Sequence, residues 1–139
     1  MGKSSTGNLK GEKPKGKENT HPPVLIVEDE MDILESLKQI LEISGHQVFT
    51  AANGLEGTKV LEQMPLPGVI LLDLMMPVMD GHHFFNFLKE HPRFNTIPVV
   101  VISAFIQNGR HSLSAEAFIE KPINFHTLLN TVEKYCGKI

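Results

Sequence analysis

The chain has 139 residues, of which 41% are hydrophobic and 21% are charged, and its formal net charge is −3. This length favours a single domain, and the lack of any apolar run near about 18 residues argues against a membrane span. The polar first 20 residues are unlike a secretory signal. Cys136 is the single cysteine, so no internal disulfide can form, and we expect a cytoplasmic protein.

The composition changes near Pro22-Pro23. Residues 1–22 contain five Lys and two Glu, a net charge of +3, with almost no apolar side chain, which is typical of a disordered basic tail. Subtracting +3 from −3 leaves −6 for residues 23–139, and so acidic a domain is poorly suited to bind nucleic acid. We therefore expect a tail over 1–22 and one domain over 23–139, with no DNA-binding domain and no membrane association.

Strand and helix patterns alternate along the predicted domain. Short apolar runs predict buried parallel strands, and apolar positions with a period near 3.6 predict the helices between them. Gly45, Pro65 and Pro92 end the first three helices. The predicted strands are 24–27, 47–51, 68–73, 99–102 and 117–119. The first predicted helix follows strand 24–27, has apolar residues from Ile33 to Leu41 on one face and ends before Gly45, and the next two cover 54–64 and 81–91.

The second half of the chain contains two further predicted helices. The last helix is predicted to be capped by Asn124 and to bury four apolar side chains, namely Phe125, Leu128, Leu129 and Val132. A fourth helix should lie between Ser103 and Lys121, but residues 107–112 are polar and include a glycine. That helix is therefore predicted to be short or irregular.

The alternation as a whole predicts an α/β fold. Strands that alternate with helices form right-handed crossovers, which give a doubly wound, five-stranded parallel sheet with helices on both faces, the flavodoxin-like arrangement. In such sheets, ligands bind at the carboxyl ends of the strands.

Acidic side chains follow two of the predicted strands at that edge. Asp73 directly follows the apolar run 69–72, and Glu28-Asp29 follows the run 24–27. Three carboxylates about 5 Å apart repel each other by roughly 3 kcal/mol per pair at an effective dielectric constant near 20. The sequence therefore predicts a divalent cation at this edge of the sheet.

Four motifs at four strand ends together resemble the receiver domain of response regulators, of the chemotaxis-regulator type, over essentially all of residues 23–139. Each motif alone is common, and their agreement in order makes the resemblance specific. The motifs are Val27-Glu28-Asp29, the run from Asp73 through Met75-Met76-Pro77 to Asp80-Gly81, Ser103-Ala104 and Lys121-Pro122.

The resemblance implies a phosphoacceptor and a metal site. Asp73 would accept a phosphoryl group, and Mg²⁺ or Mn²⁺ would be held directly by Asp29 and Asp73. The backbone carbonyl of Met75 would supply another oxygen ligand, and Glu28 would act mostly through bound water. Glu28-Asp29 also has a simpler role, which is compatible with metal binding: its negative charges would stabilise the N-terminus of the next helix through the helix dipole.

The resemblance also assigns roles around the phosphoryl group. Lys121 would supply a positive charge opposite the metal, and Ser103 a hydroxyl for a phosphoryl oxygen, although a strand-end Ser can also satisfy a backbone group. Phe118 stands where the family often has a switching Tyr, so it can move inward but lacks the hydroxyl. Met75 and Phe105 would flank the path of the hydrolytic water, and both are apolar, which predicts slow dephosphorylation.

The implied function is that of a single-domain response regulator. It would take a phosphoryl group from a sensor histidine kinase or a phosphotransfer protein and then change its affinity for a downstream protein target. Such a domain catalyses its own phosphorylation and slow dephosphorylation and is not otherwise an enzyme. The interval between Ser103 and Lys121 is shorter than is usual in the family, which leaves a non-phosphorylated, receiver-like interaction module as the alternative.

Two other classes of protein fit the residues poorly. A phosphatase of the haloacid dehalogenase type needs a second Asp two residues after its nucleophile, where this chain has Met75. A flavodoxin-like cofactor carrier needs a phosphate-binding loop after the first strand, where Glu28-Asp29-Glu30 would repel a phosphate.

Overall fold

A computed structural model describes residues 21–74, 80–104 and 114–139. Within these ranges, strands and helices alternate as predicted, and their bounds differ from the predicted ones only at the ends. In chain order they are β1 (Val24–Val27), α1 (Met31–Ile43), β2 (Val48–Ala51), α2 (Gly54–Gln63), β3 (Val69–Asp73), α3 (Gly81–Glu90), β4 (Val99–Ser103), β5 (Ala117–Glu120) and α4 (Phe125–Cys136).

The five strands form one sheet in the order β2-β1-β3-β4-β5, and every neighbouring pair is parallel. The predicted doubly wound sheet is therefore confirmed. Val27 pairs with Ala51 on one side and with Leu72 on the other, so β1 and β3 end side by side. The chain changes direction across the sheet between these two strands, and this position forms a crevice at their carboxyl ends.

Among the described residues, two helices lie on each face of the sheet. Successive strand residues point to opposite faces, so each strand contributes side chains to the core on both sides. All residues of β1, β3 and β4 are buried, as expected for parallel strands that are covered on both sides. One face packs on side chains from α2 and α3, including Leu61, Phe84 and Leu88. The other face packs on α1 and α4, whose buried residues include Leu34, Leu37, Leu41, Leu128 and Val132.

The helix ends follow from local sequence. Asn124 Oδ1 accepts a hydrogen bond from Thr127 N at 3.1 Å, which confirms the predicted cap of the last helix. Gly45 has a φ of 99°, a left-handed conformation that favours glycine. The N–H of Gly45 bonds Glu42 O, and the N–H of His46 bonds Leu41 O. These two bonds form a Schellman motif, which ends α1 at the predicted place.

One predicted core residue is not in the core. Phe125 was predicted to be buried, but it is 50% exposed. The buried stripe of α4 instead runs through Leu128, Val132 and Cys136, and Phe125, in the first turn, lines an open cleft between α1 and α4 of about 280 Å³. Leu129 is only half-buried.

Some predictions fall on residues that the structure does not describe. The predicted short or irregular fourth helix lies mostly within 105–113, and most of the predicted tail lies within 1–20. His21 and Pro22, at the end of that predicted tail, are described. The His21 Nδ1 atom is hydrogen-bonded to the Cys136 carbonyl at 3.0 Å. No helix among the described residues is long and apolar enough to cross a membrane.

Candidate phosphoacceptor and metal site

Three carboxylates meet at the carboxyl edge of β1 and β3. Asp73 is the last residue of β3, and Glu28 and Asp29 follow β1. One oxygen from each residue lies within 4.8 Å of the others, because β1 and β3 are hydrogen-bonded neighbours that end at the same level. Glu28 is 1% and Asp73 3% exposed, so little bulk water screens their repulsion. The predicted acidic edge is therefore present.

Glu28 is buried, and its two carboxylate oxygens have different surroundings. Its Oε2 atom accepts a hydrogen bond from Glu30 N at 3.1 Å, whereas its buried Oε1 atom accepts none from any described residue. Burial, followed by the negative charge of Asp73, raises the pKa of Glu28 from 4.5 to about 7. A buried carboxylate oxygen that accepts no hydrogen bond, beside two more carboxylates, has the donor chemistry that a hard divalent cation requires. The residues present thus fit the predicted Mg²⁺ or Mn²⁺.

Lys121 supplies the positive charge at this edge. It follows β5, and its ammonium nitrogen lies 3.4 Å from Glu30 Oε1, 3.5 Å from Glu28 Oε1 and 3.7 Å from Asp73 Oδ2. Burial alone would lower the pKa of Lys121, but the three carboxylates outweigh burial and raise that pKa. The peptide bond between Lys121 and Pro122 is cis. The three ion-pair distances make Lys121 a charged group of the site.

Ser103 lies at the end of β4, between the strands that carry Asp73 and Lys121. It is 3% exposed, and Asp73 pairs with Ile102 in the sheet, which places Ser103 one residue beyond the level of Asp73. The Ser103 carbonyl accepts a hydrogen bond from Lys121 N at 2.9 Å. This bond fixes the start of the Lys121 turn against the end of β4.

The predicted switch and water-access residues are described only in part. Phe118 pairs with Val101 in the sheet and is partly buried against the core beneath α2 and α3. Met75 and Phe105 lie outside the described residues, so their predicted roles stay predictions.

Gly81 and Glu30 contribute to the site in ways that the motifs did not reveal. The Gly81 N–H donates to Leu74 O at 2.9 Å, and a Cβ atom on Gly81 would lie 2.4 Å from Leu74 Cα and 2.7 Å from Asp73 O. Any side chain there would displace the backbone that carries Asp73. The Glu30 carboxylate forms an ion pair with the Lys121 ammonium at 3.4 Å. The acidic triplet 28–30 was the available signal for Glu30, and Gly81 was visible only as part of a motif.

Comparison with known proteins agrees with this geometry. The doubly wound sheet carries acids at the carboxyl ends of β1 and β3, a hydroxyl at the end of β4 and a lysine after β5, as expected of a receiver domain. The family described as "Response regulator receiver domain" matches residues 24–133. The chain therefore belongs to the response-regulator receiver family, and the resemblance stated from the sequence is confirmed.

Individual relatives fit the same assignment. The chain is 30% identical over 118 residues to the polar-differentiation response regulator DivK of Brucella anthropi, covering 82% of this chain and 95% of that protein. Chemotaxis protein CheY4 of Vibrio cholerae superposes with a TM-score of 0.76 at 26% identity, covering 84% of this chain and 99% of that one.

A third likeness concerns the fold alone. The receiver domain of sensor histidine kinase PA1611 from Pseudomonas aeruginosa has a TM-score of 0.76 at 20% identity, covering 86% of this chain and 100% of that one. That structure is described as having a magnesium ion coordinated in its active-site cleft.

Proposed function

We propose that Asp73 accepts a phosphoryl group from the phosphohistidine of a sensor histidine kinase or of a phosphotransfer protein, with Mg²⁺ or Mn²⁺ as the cofactor. The observation that carries this proposal is the convergence of charges on Asp73. Its carboxylate shares a cluster of oxygens within 4.8 Å with Glu28 and Asp29, and its Oδ2 atom lies 3.7 Å from the Lys121 ammonium.

In the proposed reaction, a carboxylate oxygen of Asp73 attacks phosphorus while the bond from phosphorus to the donor imidazole nitrogen breaks. The imidazole leaves with the electron pair of that bond and takes up a proton. Lys121 offsets the negative charge of Asp73 and that of a phosphoryl oxygen. The Ser103 hydroxyl donates to another phosphoryl oxygen. The products are an aspartyl phosphate and a neutral histidine.

The metal would be held by Asp29 and Asp73 directly, by the backbone carbonyl of Met75, and by Glu28 through water. When bound, a divalent cation offsets the negative charges of the carboxylates and of the phosphoryl oxygens, which would otherwise repel each other. The buried Oε1 atom of Glu28, which accepts no hydrogen bond from any described residue, supports a cation here. So does the magnesium ion in the cleft of the PA1611 receiver domain, which has the same fold.

Phosphorylation is proposed to switch the binding of a downstream protein. Ser103 and Phe118 lie on the neighbouring strands β4 and β5, and we propose that a movement of the Ser103 hydroxyl towards the phosphoryl group is coupled to an inward movement of Phe118. In this account the chain is a phosphoacceptor signalling domain that catalyses its own phosphorylation and slow dephosphorylation. The apolar residues Met75 and Phe105 are proposed to obstruct the hydrolytic water, and the setting is proposed to be the cytoplasm.

A small phosphodonor tests this function without knowledge of the kinase. The full chain is incubated with acetyl phosphate, with Mg²⁺ or with excess chelator, and its intact mass is measured. We expect one phosphoryl group to be added only when Mg²⁺ is present. The same treatment of Asp73→Asn should add none. A wild-type protein that is never modified would favour the alternative, a non-phosphorylated interaction module.

A further inference from the structure

Among the described residues, three carboxylates face the Lys121 ammonium, and the nearest by a small margin is that of Glu30, a residue outside the proposed phosphoacceptor and metal set. The distance from Lys121 Nζ is 3.4 Å to Glu30 Oε1, 3.5 Å to Glu28 Oε1 and 3.7 Å to Asp73 Oδ2. The Glu30 side chain is 62% exposed and that of Asp73 only 4%. Lys121 thus bridges the buried site and an acid at its rim.

The position of Glu30 in the chain makes this contact informative. Glu30 is the N-cap residue of α1, yet its side chain makes no capping hydrogen bond. The backbone groups of Glu30 are both hydrogen-bonded: its carbonyl accepts from Leu34 N, and its N–H donates to Glu28 Oε2. The shorter side chains of Ser, Thr, Asp and Asn bond to the first turn of the helix from this position, and the longer side chain of Glu30 does not. The Glu30 carboxylate is instead directed towards Lys121.

The distances indicate that this contact can be exchanged. Charge-assisted N–H···O bonds have lengths of about 2.7–2.9 Å, and Lys121 lies further than that from all three carboxylates that it faces among the described residues. An exposed ion pair such as the one with Glu30 is weak. An aspartyl phosphate would add up to about two negative charges beside the ammonium, which is a stronger attraction than that of a single rim carboxylate.

We propose that Glu30 is a positioning residue, which holds the Lys121 ammonium at the rim of the unphosphorylated site and gives it up to the phosphoryl group. This inference rests on the proposed phosphorylation of Asp73. Glu30 then competes with the incoming group for the same cation. Its removal frees Lys121 and raises the rate of phosphorylation.

The test compares two variants that each remove one negative charge from α1 or its cap. Glu30→Gln keeps the size of the side chain and loses the ion pair. Asp32→Asn is the matched control, because Asp32 is exposed and lines the same cleft as Lys121. Initial rates of phosphoryl incorporation are measured with Mg²⁺ and two donors, the dianion acetyl phosphate and the monoanion phosphoramidate. We expect Glu30→Gln to be about threefold faster than wild type with both donors, and Asp32→Asn to be unchanged.

The two donors separate competition for Lys121 from simple repulsion of the donor. Repulsion at the rim would give a larger acceleration for the dianion and a similar one for Asp32→Asn, and either result would overturn the proposal. So would an unchanged rate in Glu30→Gln. A complete lack of phosphorylation in the wild type would instead contradict the proposed function, so the two failures can be told apart.

A spectroscopic measurement tests the contact without any phosphodonor. The ¹⁵Nζ resonance of Lys121 is recorded in the metal-free, unphosphorylated wild type and in both variants. It should shift in Glu30→Gln and stay in place in Asp32→Asn. An unshifted Lys121 resonance in Glu30→Gln would show that Glu30 does not hold the ammonium.

Discussion

The ammonium nitrogen of Lys121 lies 3.7 Å from Oδ2 of Asp73, although their strands, β5 and β3, are separated by β4. The hydrogen bond from Lys121 N to the Ser103 carbonyl fixes the backbone from which this side chain reaches across. At this distance the Lys121 ammonium offsets the negative charge of Asp73, and a phosphoryl group on Asp73 would come within its reach.

Removal of the Lys121 charge should slow phosphorylation. Lys121→Met keeps an unbranched side chain but leaves the charge on the phosphoryl oxygens without a protein cation. Hydrogen bonds to charged groups are worth about 2 kcal/mol, which corresponds to a rate reduction of roughly 30-fold. The measurement is the initial rate with acetyl phosphate and saturating Mg²⁺. The control is Lys134→Met, which removes an exposed charge on α4 and should phosphorylate at the wild-type rate. Equal rates in the two variants would exclude a role for the Lys121 charge.

The two acids after β1 should differ in their effect on metal binding. Asp29→Asn removes a proposed direct charged ligand and should weaken Mg²⁺ binding strongly, by about tenfold or more. Glu28→Gln should have a milder effect, because Glu28 is proposed to act through water. Calorimetric titration with Mg²⁺ measures both affinities. If Glu28→Gln were the more damaging change, the roles of the two acids would be reversed.

The raised pKa of Glu28 predicts a pH-dependent stability of the metal-free protein. Burial and Asp73 raise this pKa from 4.5 to about 7, so the folded chain holds a proton that the unfolded chain releases between these values. The free energy of unfolding that depends on Glu28 is therefore largest below pH 4.5, and it falls as the pH rises through 7. Denaturant unfolding in chelator should show that Glu28→Gln gains stability relative to wild type from pH 5 to pH 8. A constant difference over that range would contradict the assigned cause.

His46 predicts the opposite dependence at the other end of the sheet. It is 4% exposed, and neither ring nitrogen has a hydrogen-bond partner among the described residues. Burial lowers the pKa of His46 below 6.5, with Glu133 opposing the shift and His21 adding to it. The unfolded chain therefore binds more protons, and stability falls as the pH drops below 6.5. His46→Leu should lose less stability than wild type between pH 7 and pH 5, whereas His126→Asn, which changes an exposed histidine, should follow the wild type.

The sequence was sufficient for the parts of the site that depend on strand ends. Apolar runs that end in Asp73 and in Glu28-Asp29 place these acids at one edge, since parallel strands in register bring their carboxyl ends together. The Asn124 cap was predictable for a similar reason, because a cap depends on residues within one helical turn.

Contacts between loops that are distant in the sequence could not be predicted from strand ends or helix caps. The ion pair between Glu30 and Lys121 depends on how the turn after β5 is placed against the start of α1, and no local pattern encodes that distance. Phe125 fits the apolar period of α4, but the period does not show that the first turn borders an open cleft. The prediction of its burial was wrong for that reason.

Localisation of the phosphoryl group tests the central claim most directly. The chain is phosphorylated with acetyl phosphate and Mg²⁺, the acyl phosphate is reduced with borohydride, and the peptides are sequenced by mass spectrometry. Reduction converts a phosphorylated aspartate to homoserine, so the account predicts homoserine at position 73 and aspartate at position 29. Homoserine at another acidic position, or a phosphoryl group that survives borohydride on a histidine or serine, would contradict it.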